Sequence, residues 1–88
     1  MAKYRKKPVV IEAMEWQPED PAAVGEVIGW FFARDFHEFY IEEDKSLTIE
    51  TLEGKMRCGI GDFIIRGVQG EFYPCKPDIF AATYEAME

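Results

Sequence analysis

The chain has 88 residues, a mass of 10.2 kDa and a hydrophobic fraction of 48%, which predicts one small folded domain spanning residues 1–88 and excludes a disordered chain. Seventeen acidic residues against ten basic ones give a formal charge of −7, so general binding to a nucleic-acid backbone is disfavoured. The short length also disfavours an enzyme, because the core and a catalytic pocket would have to share few residues.

The first third of the chain predicts a strand followed by a helix. β-Branched residues favour a strand at residues 7–16. Asp20 is a suitable N-cap and Pro21 a suitable first helical residue, so a helix is predicted at residues 21–33. The buried stripe of this helix is predicted from apolar residues at helical spacing, namely Val24, Val27, Ile28, Phe31 and Phe32.

The rest of the chain alternates short apolar segments with charged or glycine-containing turns, which is typical of antiparallel hairpins. Strands are predicted at residues 39–41, 47–52, 55–58, 63–65 and 71–73. Glu53-Gly54 is expected to form a two-residue turn. Pro74 and Pro77 are expected to end the hairpins, because neither can donate to a ladder.

A short helix at residues 77–82 and a last strand at residues 83–87, beside the first strand, complete the prediction. The predicted fold class is α+β. We expect a small antiparallel sheet or a partly open barrel built from hairpins, with one main helix and a short C-terminal helix.

The basic start of the chain lacks the apolar run of a signal peptide, and no window approaches the ~18 apolar residues that span a membrane. We therefore expect a cytoplasmic protein with no membrane partner. In that compartment the two cysteines, Cys58 and Cys75, are expected to stay reduced, as small buried or half-buried residues.

The reactive side chains do not include a convincing nucleophile–base pair. His37 is the only histidine and Ser46 the only serine. The segment Gly59-Ile60-Gly61 lacks the phosphate-binding fingerprint, and Glu42-Glu43-Asp44 lacks calcium-loop spacing. We predict no enzyme activity, no metal and no cofactor.

Side chains suited to an anion cluster around the last hairpin instead. Arginine presents a planar fork to phosphate or carboxylate, and tyrosine offers a ring and a hydroxyl. The hairpin is expected to bring Arg66 and Tyr73 near one another across the sheet. The predicted ligand-binding residues are Arg66, Gln69, Tyr73, Lys76 and Trp16. The alternative interpretation is that these charges protect a sheet edge from aggregation.

Basic residues are also concentrated at the start of the chain, at Lys3, Arg5, Lys6 and Lys7. This segment predicts a head-to-tail subunit contact or an anion site, and the alternative is a frayed, solvated terminus. A homo-oligomer is expected as well, because a domain of this size buries only roughly 60–65% of its unfolded surface.

Several segments carry a resemblance to known sequences: KKPVVIEA with Trp16, TLEG at residues 51–54, GDFIIRGV at residues 61–68, and GEFYPCKPDIF with TYE at residues 70–85. Together they resemble a group of small proteins encoded by bacteriophages and prophages. The turn at Gly61-Asp62 also distantly resembles the family named for a Pro-Gly-Asp-Tyr-Gly motif, with Ile60 in place of the proline and Ile64 in place of the last glycine. The resemblance implies a phage protein in a bacterial cytoplasm, and it supplies no established activity and no catalytic residues for this chain.

Small phage proteins of this kind are often counter-defence factors, so three hypotheses follow. The first is a non-enzymatic protein that sequesters a small anionic, nucleotide-like ligand. The second is a protein-binding inhibitor or adaptor of a host defence enzyme, which uses the acidic surface and exposed strand edges. The third is a structural phage protein without a ligand.

Overall fold

The computed structural model describes residues 1–5 and 7–87. Lys6, one of the basic residues highlighted above, and Glu88 lie outside the described residues. The elements, in chain order, are β1 (Glu12–Glu15), α1 (Pro21–Ala33), β2 (Phe39–Ile41), β3 (Leu47–Thr51), β4 (Gly54–Cys58), β5 (Phe63–Arg66), β6 (Phe72–Cys75) and α2 (Pro77–Thr83).

The strands form two three-stranded antiparallel sheets, one in the order β1-β5-β6 and the other in the order β2-β3-β4. Strand β6 packs against β3 and β4 without joining their ladder. The described strands close no barrel. The predicted α+β class is therefore confirmed, in the form of two small sheets with one main and one short helix.

Helix α1 begins and ends where local sequence signals place it. The Asp20 carboxylate accepts hydrogen bonds from the backbone N–H groups of Ala22 (3.0 Å) and Ala23 (3.4 Å), and Pro21 occupies the first turn. The chain turns away at Asp35, whose φ is 55°. Within the described residues, neither helix is long and apolar enough to cross a membrane.

The buried face of α1 differs from the predicted stripe in one important position. Val27, Trp30 and Phe31 are buried, whereas Phe32 remains 55% exposed. Trp30 and Phe31 adjoin Val27 on the helix at i+3 and i+4, so the large indole takes the place that the prediction gave to Phe32.

Phe31 lies at the centre of an aromatic core that joins the helix to both sheets. Its ring centroid lies 4.7 Å from that of Phe39, 4.9 Å from that of Phe72 and 5.1 Å from that of Phe36. Around this group pack buried side chains from the remaining core strands: Leu47, Ile49, Cys58 and Ile64. Because α1 supplies the central ring, the two sheets share one core rather than two.

Trp16, the residue that directly follows β1, belongs to the same core. Its side chain is fully buried, and its indole Nε1 donates to the carbonyl of Lys45 at 2.9 Å. Its backbone N–H donates to the Asp62 carbonyl, and its own carbonyl accepts from Gly61, each at 2.8 Å. One residue therefore ties β1 to the turn before β3 and to the turn before β5.

The opposite face of the β1-β5-β6 sheet is covered by α2 and the residues that follow it. The rings of Phe63 and Phe80 stack with centroids 4.0 Å apart and planes 6° from parallel. Tyr84 packs next to Phe80 at 5.3 Å. Residues 84–87 and residues 9–11 line a shared cavity of about 370 Å³ but form no strand. The last strand predicted at residues 83–87 is therefore wrong, because Thr83 ends α2.

Two other predicted boundaries are corrected by strand pairing. Strand β1 begins only at Glu12, since its partner β5 ends at Arg66, opposite Glu12, and residues 7–11 have no strand to pair with. Pro74 lies inside β6 rather than ending it. This is tolerated because β6 is an edge strand whose ladder involves β5 alone.

The tight turn between β3 and β4 lies one residue earlier than predicted. Its two residues are Leu52 and Glu53, since Thr51 pairs with Gly54 in the register. Gly54, with φ at 109°, is the first residue of β4. Glycine is needed there because other residues rarely adopt this backbone conformation.

We predict that Phe31→Ala lowers the free energy of unfolding by about 3–5 kcal/mol, because it removes the ring at the centre of the shared core. The matched control is Phe32→Ala on the same helix, where the exposed ring should cost less than ~1 kcal/mol. Urea unfolding followed by circular dichroism measures both. Equal losses at the two positions would contradict this assignment of the buried face.

Candidate functional site

The five predicted ligand-binding residues are not brought together by the fold. Trp16 is a fully buried core residue whose indole N–H is already hydrogen-bonded to Lys45. The other four lie on or beside the β5–β6 hairpin but face different surroundings. The separate partners of these four side chains decide which of them remain available to a ligand.

Arg66 and Tyr73 lie on opposite faces of the sheet, so the expected cross-strand proximity is not observed. In the register Arg66 pairs with Phe72, and Ile65 pairs with Tyr73. Directly paired residues share a face, and successive residues alternate between faces. Arg66 therefore lies on the side of the shared core, and Tyr73 on the side covered by α2.

Tyr73 and Gln69 line a groove of about 410 Å³ together with Glu53 and Glu71. Burial and a hydrogen bond with the Tyr84 side chain raise the pKa of Tyr73 from 10.0 to about 12. The Tyr73 hydroxyl therefore stays protonated at neutral pH. The two carboxylates give this groove a negative charge, which does not suit an anionic ligand.

Lys76 serves as the counter-ion of a buried carboxylate. Its Nζ lies 2.8 Å from Oδ2 of Asp62, whose side chain is 7% exposed. The same oxygen accepts the backbone N–H of Gly59 at 2.8 Å. Asp62 thus fixes the turn between β4 and β5, and Lys76 neutralises its charge, so this lysine has a structural partner.

Arg66 faces a different carboxylate, that of Glu12, and shares it with a second arginine. Glu12 is paired with Arg66 across β1 and β5, and the two side chains approach to 3.8 Å. Arg34, the C-cap of α1, donates to Glu12 Oε2 at 2.8 Å. One turn earlier on the helix, the Trp30 indole donates to Glu12 Oε1 at 3.2 Å. We call Glu12, Trp30, Arg34 and Arg66 the arginine cluster.

The arginine cluster carries a net positive charge within an acidic chain. Two guanidinium groups face a single carboxylate, and all three charged side chains are partly exposed to solvent. The Nε of Arg66 is buried and has no hydrogen-bond partner among the described residues. An arrangement with one positive charge in excess can attract a second oxyanion, such as a phosphate or carboxylate.

The arginine cluster also has a structural role. It joins the C-terminal end of α1, through Trp30 and Arg34, to the start of β1. A positive side chain at this end of a helix is favoured by the helix dipole. Sequence reasoning found Arg66 but missed Arg34, Glu12 and Trp30. Only the position of Arg34 just past the end of the predicted helix was a signal that could have been used.

The residues weighed for catalysis have ordinary local partners. His37 Nε2 lies 2.9 Å from Asp35 Oδ1, and both side chains are exposed. The Ser46 hydroxyl and backbone N–H bond to Asp44, and these contacts hold the pKa of the Asp44 carboxyl at about 2. Across residues 1–5 and 7–87, no group of three or more potential ligands is arranged to hold a metal ion.

Comparisons with known proteins add nothing to this geometry: no protein-family model, no curated protein and no solved structure matches the chain.

The two cysteines provide a test of the surroundings described for Asp62. Burial, followed by the charge of Asp62, raises the pKa of the Cys58 thiol from 9.0 to about 12. Burial also raises the pKa of Cys75, which is only half-buried. We predict that at pH 8 a disulfide reagent modifies the Cys75 thiol in the folded chain and reaches Cys58 only after unfolding in urea.

The raised pKa of the Cys58 thiol makes the free energy of unfolding depend on pH. The folded state holds the Cys58 proton more tightly than the unfolded state does. The stabilisation that this thiol contributes to the free energy of unfolding is therefore complete below pH 9. That contribution is lost as the pH rises from 9 towards 12. Cys58→Ala should flatten this part of the pH profile, and Cys75→Ser serves as the control.

Rapid modification of two thiols in the folded chain would contradict the buried position of Cys58.

Proposed function

We propose that this chain is a non-enzymatic binding protein for a small phosphate-bearing ligand, held at the arginine cluster. The observation that carries the proposal is the convergence of Arg34 and Arg66 on the single carboxylate of Glu12. In a chain with a formal charge of −7, this local excess of positive charge is a specific feature of the surface. The proposed site retains Arg66 from the sequence prediction. Its other residues, from β1 and α1, replace the remaining four that the sequence predicted.

Binding would proceed through exchange of partners at Glu12. The Glu12 side chain is 49% exposed, so it can turn towards solvent when a ligand phosphate approaches. Both guanidinium groups then donate to phosphate oxygens, which accept planar, paired hydrogen bonds better than a single carboxylate oxygen does. The Trp30 ring is buried and offers the site its N–H group rather than a stacking surface. The site therefore selects the phosphate of the ligand and places no demand on a base.

The biological role we propose is sequestration of a nucleotide-like signal by a phage protein that counteracts host defence. The support for the phage setting is the sequence resemblance described above. The support for sequestration is that binding at the arginine cluster needs no reactive group. A signalling nucleotide carries the phosphates that two arginines recognise, and holding it would lower its free concentration.

Isothermal titration calorimetry of the full chain tests the proposal, with inorganic pyrophosphate, ADP-ribose and cyclic dinucleotides as probes. Arg66→Ala should weaken binding about 10- to 100-fold, since a hydrogen bond to a charged group contributes ~1.5–3 kcal/mol. The matched control is Arg57→Ala, which removes an exposed arginine paired with Asp44 outside the site. Binding to the control should equal that to the unmodified chain.

A third variant distinguishes binding from a purely structural role of the arginine cluster. Glu12→Gln removes the competing charge while its amide oxygen can still accept from Trp30. We predict that this substitution tightens phosphate binding about tenfold. Absence of heat with all three probes, or equal losses for Arg66→Ala and Arg57→Ala, would contradict the proposal.

A second candidate function, binding to a host protein, is favoured by the exposed edge strand β2. Tyr40 and Ile41 remain 40% and 46% exposed, and the acidic segment Glu42-Glu43-Asp44 follows directly. An edge strand of this kind can accept a strand from a partner with basic residues. A pulldown from infected host lysate that yields the same protein with Arg66→Ala, but not with Ile41→Lys, would favour this function over phosphate binding.

A further inference from the structure

The described residues at the start of the chain, 1–5 and 7–8, form a basic arm that belongs to neither sheet. The described residues of this segment have no regular secondary structure and are exposed, with Tyr4 at 94%. The described chain measures 49 × 28 × 24 Å, so it is elongated for its size. Four basic residues lie between positions 3 and 7; taking their charge from the formal −7 leaves −11 on the rest of the chain. Arm and body therefore carry opposite charges.

The groove introduced with Tyr73 has the properties that complement this arm. It lies between the β3–β4 turn and the β5–β6 hairpin, and its volume is about 410 Å³. Its apolar lining comes from Leu52, Met56 and Phe72, and its two carboxylates come from Glu53 and Glu71. Leu52 is 97% exposed at the tip of its turn and offers apolar surface at the edge of the groove. Among the residues that the structure describes, no lysine or arginine lines the groove.

The described residues of the arm do not occupy the groove of their own chain. Lys7 and Pro8 instead line a cavity with Thr83, the last residue of α2, and with residues that follow it. The groove opens at the turns of other strands, and none of the described arm residues lines it. The acidic, partly apolar groove is complementary to a basic segment that carries an aromatic ring, and the arm of a second copy of this chain is such a segment.

We propose that the chain forms a dimer by exchange of arms, in which Tyr4 of each copy lies in the apolar groove of the other. Lys3 and Arg5 flank Tyr4 and pair with the carboxylates of Glu53 and Glu71 at the rim of that groove. Each copy donates one arm and accepts one, so the assembly closes with two-fold symmetry and leaves no unfilled groove. The exchange also buries apolar surface that a domain of 88 residues leaves exposed.

Sedimentation velocity of the full chain over a range of concentrations and salt tests this proposal. We expect a dimer at about 0.02 M salt and a shift towards monomer at about 0.5 M salt, because exposed ion pairs are screened. Lys3→Glu combined with Arg5→Glu should raise the dissociation constant at least about tenfold, as should Glu53→Lys in the groove. Glu43→Lys is the matched control, since it makes the same charge change in an exposed turn that does not line the groove.

The decisive experiment mixes the chain that carries Lys3→Glu and Arg5→Glu with the chain that carries Glu53→Lys. The chain with Lys3→Glu and Arg5→Glu has two carboxylates beside Tyr4 and keeps Lys6 and Lys7, and the chain with Glu53→Lys has a groove that keeps Glu71. Each should dimerise more weakly than the unmodified chain. The mixture should dimerise more tightly than either alone, because the unchanged arm then meets the unchanged groove, and the other pair balances one attraction against one repulsion. Circular dichroism checks that each variant is folded. A monomer at every concentration at low salt, an equal loss with Glu43→Lys, or no dimer in the mixture would overturn arm exchange.

Discussion

The buried indole of Trp16 is the interaction on which the arrangement of the two sheets depends. Its N–H group is bonded to the Lys45 carbonyl in the turn before β3, and its backbone is bonded to Gly61 and Asp62 in the turn before β5. The sheets themselves share no ladder. A single residue, hydrogen-bonded through its indole to one turn and through its backbone to the other, therefore fixes where β1 enters the core and how the two sheets face each other. The turn that it holds also places Asp62 for its contacts with Gly59 and Lys76.

The arginine cluster depends on this framework because its residues come from distant parts of the chain. Pairing of β1 with β5 puts Glu12 opposite Arg66, and packing of α1 on the core brings Trp30 and Arg34 to the same carboxylate. Burial of Phe31 sets the rotation of the helix, and hence the direction in which Trp30 points. The cluster is therefore both a joint between helix and sheet and a place where positive charge exceeds negative charge. Those two roles are compatible, since a ligand phosphate can replace Glu12 as the shared partner.

Local signals predicted much of the fold, because they act between neighbouring residues. The cap at Asp20 and the proline after it predicted where α1 begins, and the change of apolar period after Ala33 predicted where it ends. Alternation with turn residues predicted β2, β3 and the later hairpins. The predictions failed where tertiary contacts decide which side chain is buried or which segment forms a strand. Phe32 and Trp30 are equally apolar by pattern, and only packing against Phe72 selects Trp30 for burial. The last strand has the right composition, but α2 continues through Thr83 and leaves residues 84–87 unpaired as a strand.

The candidate site was harder to predict than the fold for the same reason. Arg66 could be identified by its chemistry, whereas its partner Glu12 is 54 positions away and is set by a strand register that no local pattern specifies. The register also separates Arg66 from Tyr73, which adjacency in the hairpin had suggested would be close. Trp16 was predicted to bind a ligand, yet its side chain is fully buried in the core. Chemistry read from residue types alone does not say which face of a strand a side chain occupies.

The two tryptophans allow phosphate binding at the arginine cluster to be measured directly. The Trp30 indole N–H bonds to Glu12 in that cluster, and the Trp16 indole N–H bonds to Lys45 in the core. A nitrogen-15 NMR titration of the full chain with inorganic pyrophosphate follows both indole signals at once, and Trp30→Phe assigns them. We predict that the Trp30 indole signal shifts progressively to saturation while the Trp16 indole signal stays in place. A Trp30 signal that does not move, or a Trp16 signal that moves as far, would contradict it.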